Sequence, residues 1–493
     1  MTRVLALVAG VAVSGTGCAS LAGIDDTRGD ARASDTVEVT RVSIGTQVVR
    51  TPLALAGLQA TYFVPNPANP AGFDRVLADT AGQGTWTADL PEPAAVELGA
   101  ATGPTPIPQL LAFPDRALKA PFPVFEHPNP TPAPVPGMLD LSVALDAPTA
   151  GIESFQVFTV GSWSQRVVDP ADLPIAGSTE LGPLRYDFNA STSLSGRPLD
   201  ALTLQDRFFV LRYAGNLLTG VAAVPPFDQT GDDMLAATMA PVMADQTLDV
   251  RIEPSRLTAR YAGVEPEVTG LQMSWVLTAA PGLSAGETKG PSLHSGTLAE
   301  NDVGVTVKYG NPFVDPMWST VFALNTFESR VYTPPGSAMQ VTLQAGMSQV
   351  LTPSDGFVLT LPVGLPTLIA LDGKPLLTDG QGVARPTRFV EVTFSADSPV
   401  AGAPNATAYG LAVYDLLPDA ASAGLAYHQV LAASGSEARF EIPPEIFQVG
   451  HSYTLRALCQ LGGIPAISGG DLVTRDLPFA QSFLDSAVIT VKP

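Results

Sequence analysis

The chain has 493 residues, with 26 Lys+Arg against 47 Asp+Glu, and a formal net charge of −21 at pH 7. That acidic excess excludes nucleic acid as the main partner, because phosphate recognition needs a cationic surface. Two cysteines exclude a disulfide scaffold or a multi-cysteine metal cluster, and 45 Gly with 46 Pro disfavour long helices. A hydrophobic content of 45% is nevertheless too high for a disordered chain, so the expectation is a folded, multi-domain, mostly β protein.

The N-terminus reads MTRVLALVAGVAVSGTGC. Arg3 is followed by the uncharged run Val4 to Val13, then by the small residues Ser14 to Gly17, then by Cys18. At about 1.5 Å rise per residue the apolar run is too short to cross roughly 30 Å of hydrocarbon, and suits the h-region of a cleaved leader. The pattern resembles a bacterial lipoprotein signal. That resemblance implies removal of residues 1–17 as a signal peptide and a lipid on Cys18. Ala19 rather than Asp follows the cysteine, which by the same resemblance implies the outer membrane. Residues 18–36 are small and acidic and read as a flexible tether. Two later apolar runs, Val268 to Gly286 and Gly356 to Leu371, are broken by polar residues and prolines and fail as spans.

Beyond residue 36, alternation with a period of two dominates, as in Leu248-Asp249-Val250-Arg251-Ile252 and Val305-Thr306-Val307-Lys308-Tyr309. The runs are short and end in Gly, Pro, Asn or Asp, the signature of strands in antiparallel sandwiches. The expected fold class is all-β, with tandem antiparallel β-sandwich domains of the immunoglobulin or fibronectin III kind. Composition places a small β-domain at 37–113 and a Pro-rich linker at 114–138, outside any central strand. Sandwiches follow at 139–260 and 261–365, separate or as one unit, and a last domain occupies 366–493. Asp233 to Met239 reads as a short capped helix ending before Pro241.

Near the end, Ile442-Pro443-Pro444 and then Gly450-His451-Ser452-Tyr453-Thr454-Leu455-Arg456-Ala457 resemble the E–F region of a fibronectin type III domain. The resemblance gives Tyr453 the tyrosine-corner role, its hydroxyl bonded back to the turn backbone. It also gives Phe394 the place of that family's strand-B tryptophan. By period two, Tyr453, Leu455, Ala457 and Cys459 point inward together. LAGIDD after Cys18, YGNPF at Tyr309 to Phe313 and IPPEIFQVGHSYTLRA further resemble a group of lipoproteins of high-GC Gram-negative soil bacteria, which brings no activity with it.

Catalytic signatures are sparse. The sequence contains no G-x-S-x-G, S-x-x-K or H-E-x-x-H run, and its four histidines, His127, His294, His428 and His451, are each alone. Cys459 reads as a buried, inert thiol. Asp228 to Asp233 reads as a solvated turn, with calcium as the alternative; it lacks the alternating ligands of an EF-hand. No cofactor and no metal are expected. The loop holding Asn311, Phe313, Met317 and Trp318 is the one candidate binding platform, its aromatics otherwise plugging the end of a sandwich. The leading expectation is a lipid-anchored, non-catalytic envelope protein with a binding, adhesion or spacer role. Its partners would be the membrane, through the N-terminal lipid, and an envelope protein or glycan. The alternative is an envelope hydrolase whose site is assembled from distant loops.

Overall fold

The computed structural model describes the backbone from Asp35 onward with breaks, and side chains chiefly from residue 137. Residues 1–34 and the segments 126–136, 188–203, 253–268, 282–289, 314–317, 397–405 and 462–478 are among those outside the description. Cys18, residues 18–34 of the tether and His127 therefore lie outside it, while Asp35 and Thr36 of the expected tether open the first strand.

Among the described residues the regular structure is strand, with two three-residue 3-10 turns at Pro170–Asp172 and Pro444–Ile446 and no α-helix. The strands are rich in β-branched and aromatic residues and bury alternate side chains, as the pattern across Leu217–Val224 shows. They stack as two-sheet sandwiches in tandem.

Strand pairing falls into four successive groups, each containing a parallel pairing of an early strand with one at or near its end. Asp35–Ile44 pairs with Ala117–Phe125, and Met138–Ala144 with Asp233–Thr238. Gln246–Ile252 pairs with Phe357–Leu359, and Gln381–Ala384 with Ile489–Lys492. Composition and pairing divide the chain differently in two places. Gln246–Ile252, inside the expected 139–260 sandwich, pairs with Val303–Tyr309 and Phe357–Leu359 of the next group. Ala117–Phe125 lies inside the Pro-rich stretch yet is a strand, at a sheet edge where Pro121 and Pro123 need not donate inward.

Asp233–Thr238 is a strand and not the helix its sequence suggests. The Asp233 carboxylate does cap a turn, accepting from the Thr230 amide and hydroxyl at 3.0 Å. After that turn the chain hydrogen-bonds along Met138–Ala144, and this long-range ladder overrides the local helix pattern.

The groups are also hydrogen-bonded to one another. Leu217 pairs with His294, and Val341–Leu351 pairs antiparallel with Phe479–Asp485. Gln109–Ala112 adds in parallel to Ala432–Gly435, which brings the first group onto the last. Phe63 packs edge-on against Phe389 at the same junction, and Arg75 reaches Glu445 at 3.5 Å. One large apolar core accordingly runs from Phe63 through Phe158 and Phe322 to Tyr453 and Ile489, with a second inside 138–241 around Leu141, Val157 and Val210.

In the last group, Val390–Ala396 lies between Pro366–Leu371 and Arg439–Ile442 in one sheet. Ser452–Leu461 and Ala408–Asp419 form the other with Gly424–Gly435. Tyr453 is fully buried, and its hydroxyl accepts a 2.9 Å hydrogen bond from the Gln448 amide, five residues back. Phe394 is buried and stacks on Phe440 at 6.2 Å. Replacing Tyr453 by Phe strands that amide, and the expected cost is about 1–3 kcal/mol in urea unfolding with the core otherwise intact.

Candidate functional site

Three polar constellations and one aromatic cluster gather the chemistry-bearing side chains. The first surrounds Arg456. Its strand was expected to bury one face, and Tyr453, Leu455, Ala457 and Cys459 are indeed fully buried. Arg456 on the opposite face is only 5% exposed, because Val341–Leu351 and Gly424–Gly435 cover that side as well. Arg456 Nε donates to Asp485 Oδ1 at 2.6 Å and Nη2 to Oδ2 at 2.9 Å, a bidentate pair. Nη2 also reaches Gln344 Oε1 at 3.2 Å. The guanidinium lies over Phe483 at 4.5 Å, Tyr414 at 5.3 Å and Tyr427 at 5.5 Å. The Tyr427 hydroxyl sits 2.8 Å from both Asp485 Oδ2 and the Thr342 carbonyl. Burial opposes the charge on Arg456, but Asp485 beside it pushes its pKa above the ordinary arginine value. Burial, reinforced by Asp485, pushes the Tyr427 phenol well up. Both groups are thus locked in one protonation state and tie the strand at 341–351 to the last sandwich.

The second constellation is built the same way. Arg212, on Phe208–Ala214, reaches Asp146 Oδ1 at 3.0 Å and Glu153 Oε1 at 2.9 Å, and its Nη1 also donates to the Ala147 carbonyl. Glu153 further accepts from the Thr149 hydroxyl at 2.7 Å and the Ala150 amide at 2.9 Å. Burial resists ionisation of Glu153, but the Ala150 amide, Arg212 and Thr149 outweigh it and hold the carboxyl far below the usual range. A lowered folded pKa stabilises the fold fully above the unfolded value near 4.5 and loses that contribution as pH falls toward the folded one. Glu153→Gln should therefore destabilise most at pH 7, and the gap to wild type should narrow below about pH 4.5. Urea midpoints at pH 7 and pH 3 measure this.

The third is a dyad that no spacing in the sequence signals. His451 Nδ1 lies 2.7 Å from Asp415 Oδ2, with the histidine side chain 35% exposed and the aspartate 7%. Asp415 closes the inner face of its strand, opposite Tyr453 on one side and His428 on the other, one residue past a β-bulge at Val413/Tyr414. Asp415 Oδ1 is buried without a hydrogen-bond partner among the described residues. Such a pair can orient an imidazole and leave Nε2 free to take a proton. Ser452, next in sequence, instead sits 3.1 Å from the Thr490 hydroxyl. His294 donates from Nδ1 to the Lys308 carbonyl at 3.0 Å and packs edge-on against Trp275. His428 is exposed.

The candidate platform is packed rather than open. Phe313 and Trp318 are 5% and 8% exposed and stack on each other at 4.4 Å. Phe209 meets both edge-on, at 5.4 and 6.1 Å, and the Arg207 guanidinium lies 5.2 Å above Trp318. They pack against Phe209 and Phe158 of the preceding group and leave little aromatic surface to solvent. Asn311 fixes the turn: its Oδ1 accepts from the Phe313 amide at 2.9 Å and its Nδ2 donates to Thr320 Oγ1 at 3.2 Å. Gly310 is required because a Cβ there would lie 2.2 Å from the Met243 carbonyl oxygen. Met317 is outside the described residues.

Cys459 is fully buried, and burial pushes its thiol up to about 12, which makes it inert at neutral pH. In the acidic run 228–233, Asp232 accepts from the Met138 amide at 2.7 Å and Asp228 from the Leu204 amide at 3.0 Å. No group of three or more potential metal ligands occurs among the described residues, and no described helix is long and apolar enough to cross a membrane.

No protein-family model matches the chain, and no curated protein is significantly similar to it. Solved structures give remote similarities. One is a candidate cell adhesion protein from Bacteroides eggerthii, at 10% identity and a TM-score of 0.15 over 55% of this chain and 98% of that one. Another is two B repeat units of the collagen binding protein of Staphylococcus aureus, at 8% identity and a TM-score of 0.12 over 82% and 99%. A third is Escherichia coli alpha-2-macroglobulin, at 10% identity and a TM-score of 0.15 over 93% and 44%. Similarity of this size bears on neither ligand nor activity. The tandem sandwich is read from the strand pairing of the chain itself.

Sequence reasoning found the buried aromatics, Tyr453 and Cys459. It missed the Arg456, Arg212 and Asp415 clusters. Each joins residues at least 29 positions apart, and only for Arg456 did a local signal exist: a lone Arg amid the apolar run TLRALC.

Proposed function

We propose that this chain is a lipid-anchored, non-catalytic protein of the cell envelope that acts as an adhesive or spacing arm. In this reading residues 1–17 are removed, Cys18 carries the lipid at the outer membrane, and the last sandwich is a fibronectin type III-like domain. The partner is an envelope protein or glycan. One observation supports it most: the two buried guanidinium clusters, at Arg212 and Arg456, join strand to strand and loop to strand, so buried charge serves a hydrogen-bonded stack of strands. Two or more acyl chains, at about 0.8 kcal/mol per buried methylene, hold such an arm to a bilayer.

Labelling cells with a palmitate analogue tests the anchor. Label should follow the wild-type protein and vanish in Cys18→Ser; equal labelling of both would remove the anchor from this reading. Cross-linking in intact cells, followed by capture of the protein, should return one recurring envelope component. The His451–Asp415 dyad favours a second reading, a hydrolase. That reading predicts turnover of ester or glycoside substrates that His451→Ala abolishes without loss of folding.

A further inference from the structure

We propose that one end of the strand group at 138–241 is a membrane-contact tip, where Ile152 and Ile175 enter the surface of a bilayer with neutral headgroups. The inference rests on the arm reading above for its place beside a membrane. Its test omits the lipid on Cys18, so a failed anchor and a failed tip give different results.

Two loops build the tip. One follows Met138–Ala144 and runs from Leu145 to Glu153; the other lies between the 3-10 turn at Pro170–Asp172 and the strand Glu180–Asp187. Gly151 and Gly177, at φ values of 80° and 88°, turn them tightly. The Thr149 amide donates to the Ser178 carbonyl at 2.9 Å, and the Gly177 amide to the Thr149 carbonyl at 2.7 Å. A Cβ on Gly151 would lie 3.1 Å from that of Ala176, so the loops touch at the residues next to both isoleucines. Ile152 and Ile175 are each 83% exposed. Residues 147–152 and 173–178 hold no charged and no aromatic side chain.

What lies beneath the isoleucines suits them to lipid. A loop that enters a bilayer loses its water, and every polar group left unpaired there is strongly penalised. Here the amides of Thr149, Ala150, Gly151 and Ile152 are all taken. They donate to the Ser178 carbonyl, to Glu153 Oε1 at 2.9 Å, to Thr149 Oγ1 at 3.0 Å and to Glu153 Oε2 at 3.1 Å. The Ala147 and Pro148 carbonyls accept from the Arg212 guanidinium at 3.1 and 3.3 Å. Asp146 and Glu153, the acids at the base of this loop, pair with the same guanidinium. The Thr149 and Ser178 hydroxyls are engaged as well, with Glu153 and with the Glu180 carbonyl. The buried Arg212 cluster thus holds in one shape a loop that presents apolar side chains and little else. Protein interfaces draw on aromatic, arginine and hydrogen-bonding groups, which this tip does not offer. Charge sets the lipid class: Asp169, Asp172 and Glu180 flank the second loop, and the chain carries −21 overall, which opposes an anionic surface.

Flotation with phosphatidylcholine vesicles tests the proposal. The protein is the chain from residue 18 with Cys18→Ser, which lacks the apolar leader and the lipid but keeps every described residue. It should bind neutral vesicles, and replacing part of the phosphatidylcholine by phosphatidylglycerol should weaken the binding. Ile152→Asp and Ile175→Asp should each lower the affinity about tenfold, and the two together about a hundredfold. The urea midpoint should not change, because both side chains are exposed. An environment-sensitive dye then locates the contact. Cys459 is buried, so a dye on Ala150→Cys marks the tip alone. A dye on Met234→Cys marks a position beside Asp140, toward the other end of the strand Met138–Ala144. Vesicles should brighten the first dye severalfold and leave the second unchanged. The proposal is overturned by absence of binding to neutral vesicles, by undiminished binding of the double Asp variant, by binding that rises with phosphatidylglycerol, or by equal brightening at both positions. A dimer that Ile152→Asp dissolves, in a chain that binds no vesicle, would overturn it too and assign the tip to a second copy.

Discussion

Replacing Arg456 by Ala is expected to destabilise the last sandwich by about 3–5 kcal/mol, among the largest single-residue effects in this protein. The reason is the partner left behind. Asp485 has no exposed side-chain surface, and losing the guanidinium leaves its carboxylate buried with only the Gln344 amide and the Tyr427 hydroxyl to meet it. Asp485→Ala should cost a similar amount, by leaving Arg456 charged beneath Tyr414, Tyr427 and Phe483. The double variant Arg456→Met with Asp485→Leu should recover most of the loss, because neither charge then remains. All four tryptophans precede this sandwich, so hydrogen exchange along Ser452–Leu461 is the suitable measurement. Protection there should collapse in either single variant and return in the double. A loss of less than about 1 kcal/mol in both singles would show that the cluster is a minor contributor.

The second large effect concerns the packed loop. Phe313→Ala and Trp318→Ala should each cost about 3–5 kcal/mol, the usual range for deleting a buried aromatic. The two rings touch each other and Phe209, so the double variant should cost less than the sum of the singles, by about 0.5–1.5 kcal/mol. Asn311→Ala should be milder, near 1 kcal/mol, since it removes a turn bond and not a ring. Urea unfolding followed by the fluorescence of Trp275 reads these changes in the neighbouring strand, and Trp275 stacks on Phe322 in the same core. A functional platform would give the opposite result, with stability kept and binding lost.

Much of the fold was legible from local pattern, and particular elements show why. Val390–Ala396 reads as alternating and buries Val390, Val392 and Phe394 on one face. Tyr453 was recognisable because Ile442 to Ala457 resembles the E–F region of a fibronectin type III domain, and its hydroxyl does accept from the Gln448 amide. Asp233–Thr238 failed for a physical reason: its helix-like composition carries a preference of a few tenths of a kcal/mol per residue, which the ladder to Met138–Ala144 exceeds. Ser452–Leu461 was read half correctly. Period two identifies the two faces of a strand, but not whether the second face will be covered.

The sequence alone determined the β character of the chain, the scarcity of helix, the acidic surplus and the inward register of Cys459, because composition and alternation act within a few residues of one strand. Only the tertiary structure decided which strands meet. It brought Asp485 to Arg456, His451 to Asp415 and the final strand to Gln381–Ala384. It also buried Phe313 and Trp318 against Phe209. Those outcomes depend on pairing between strands separated by long stretches of chain. Loop-closure entropy changes only slowly with that separation, so nothing in a local pattern singles out one distant partner over another.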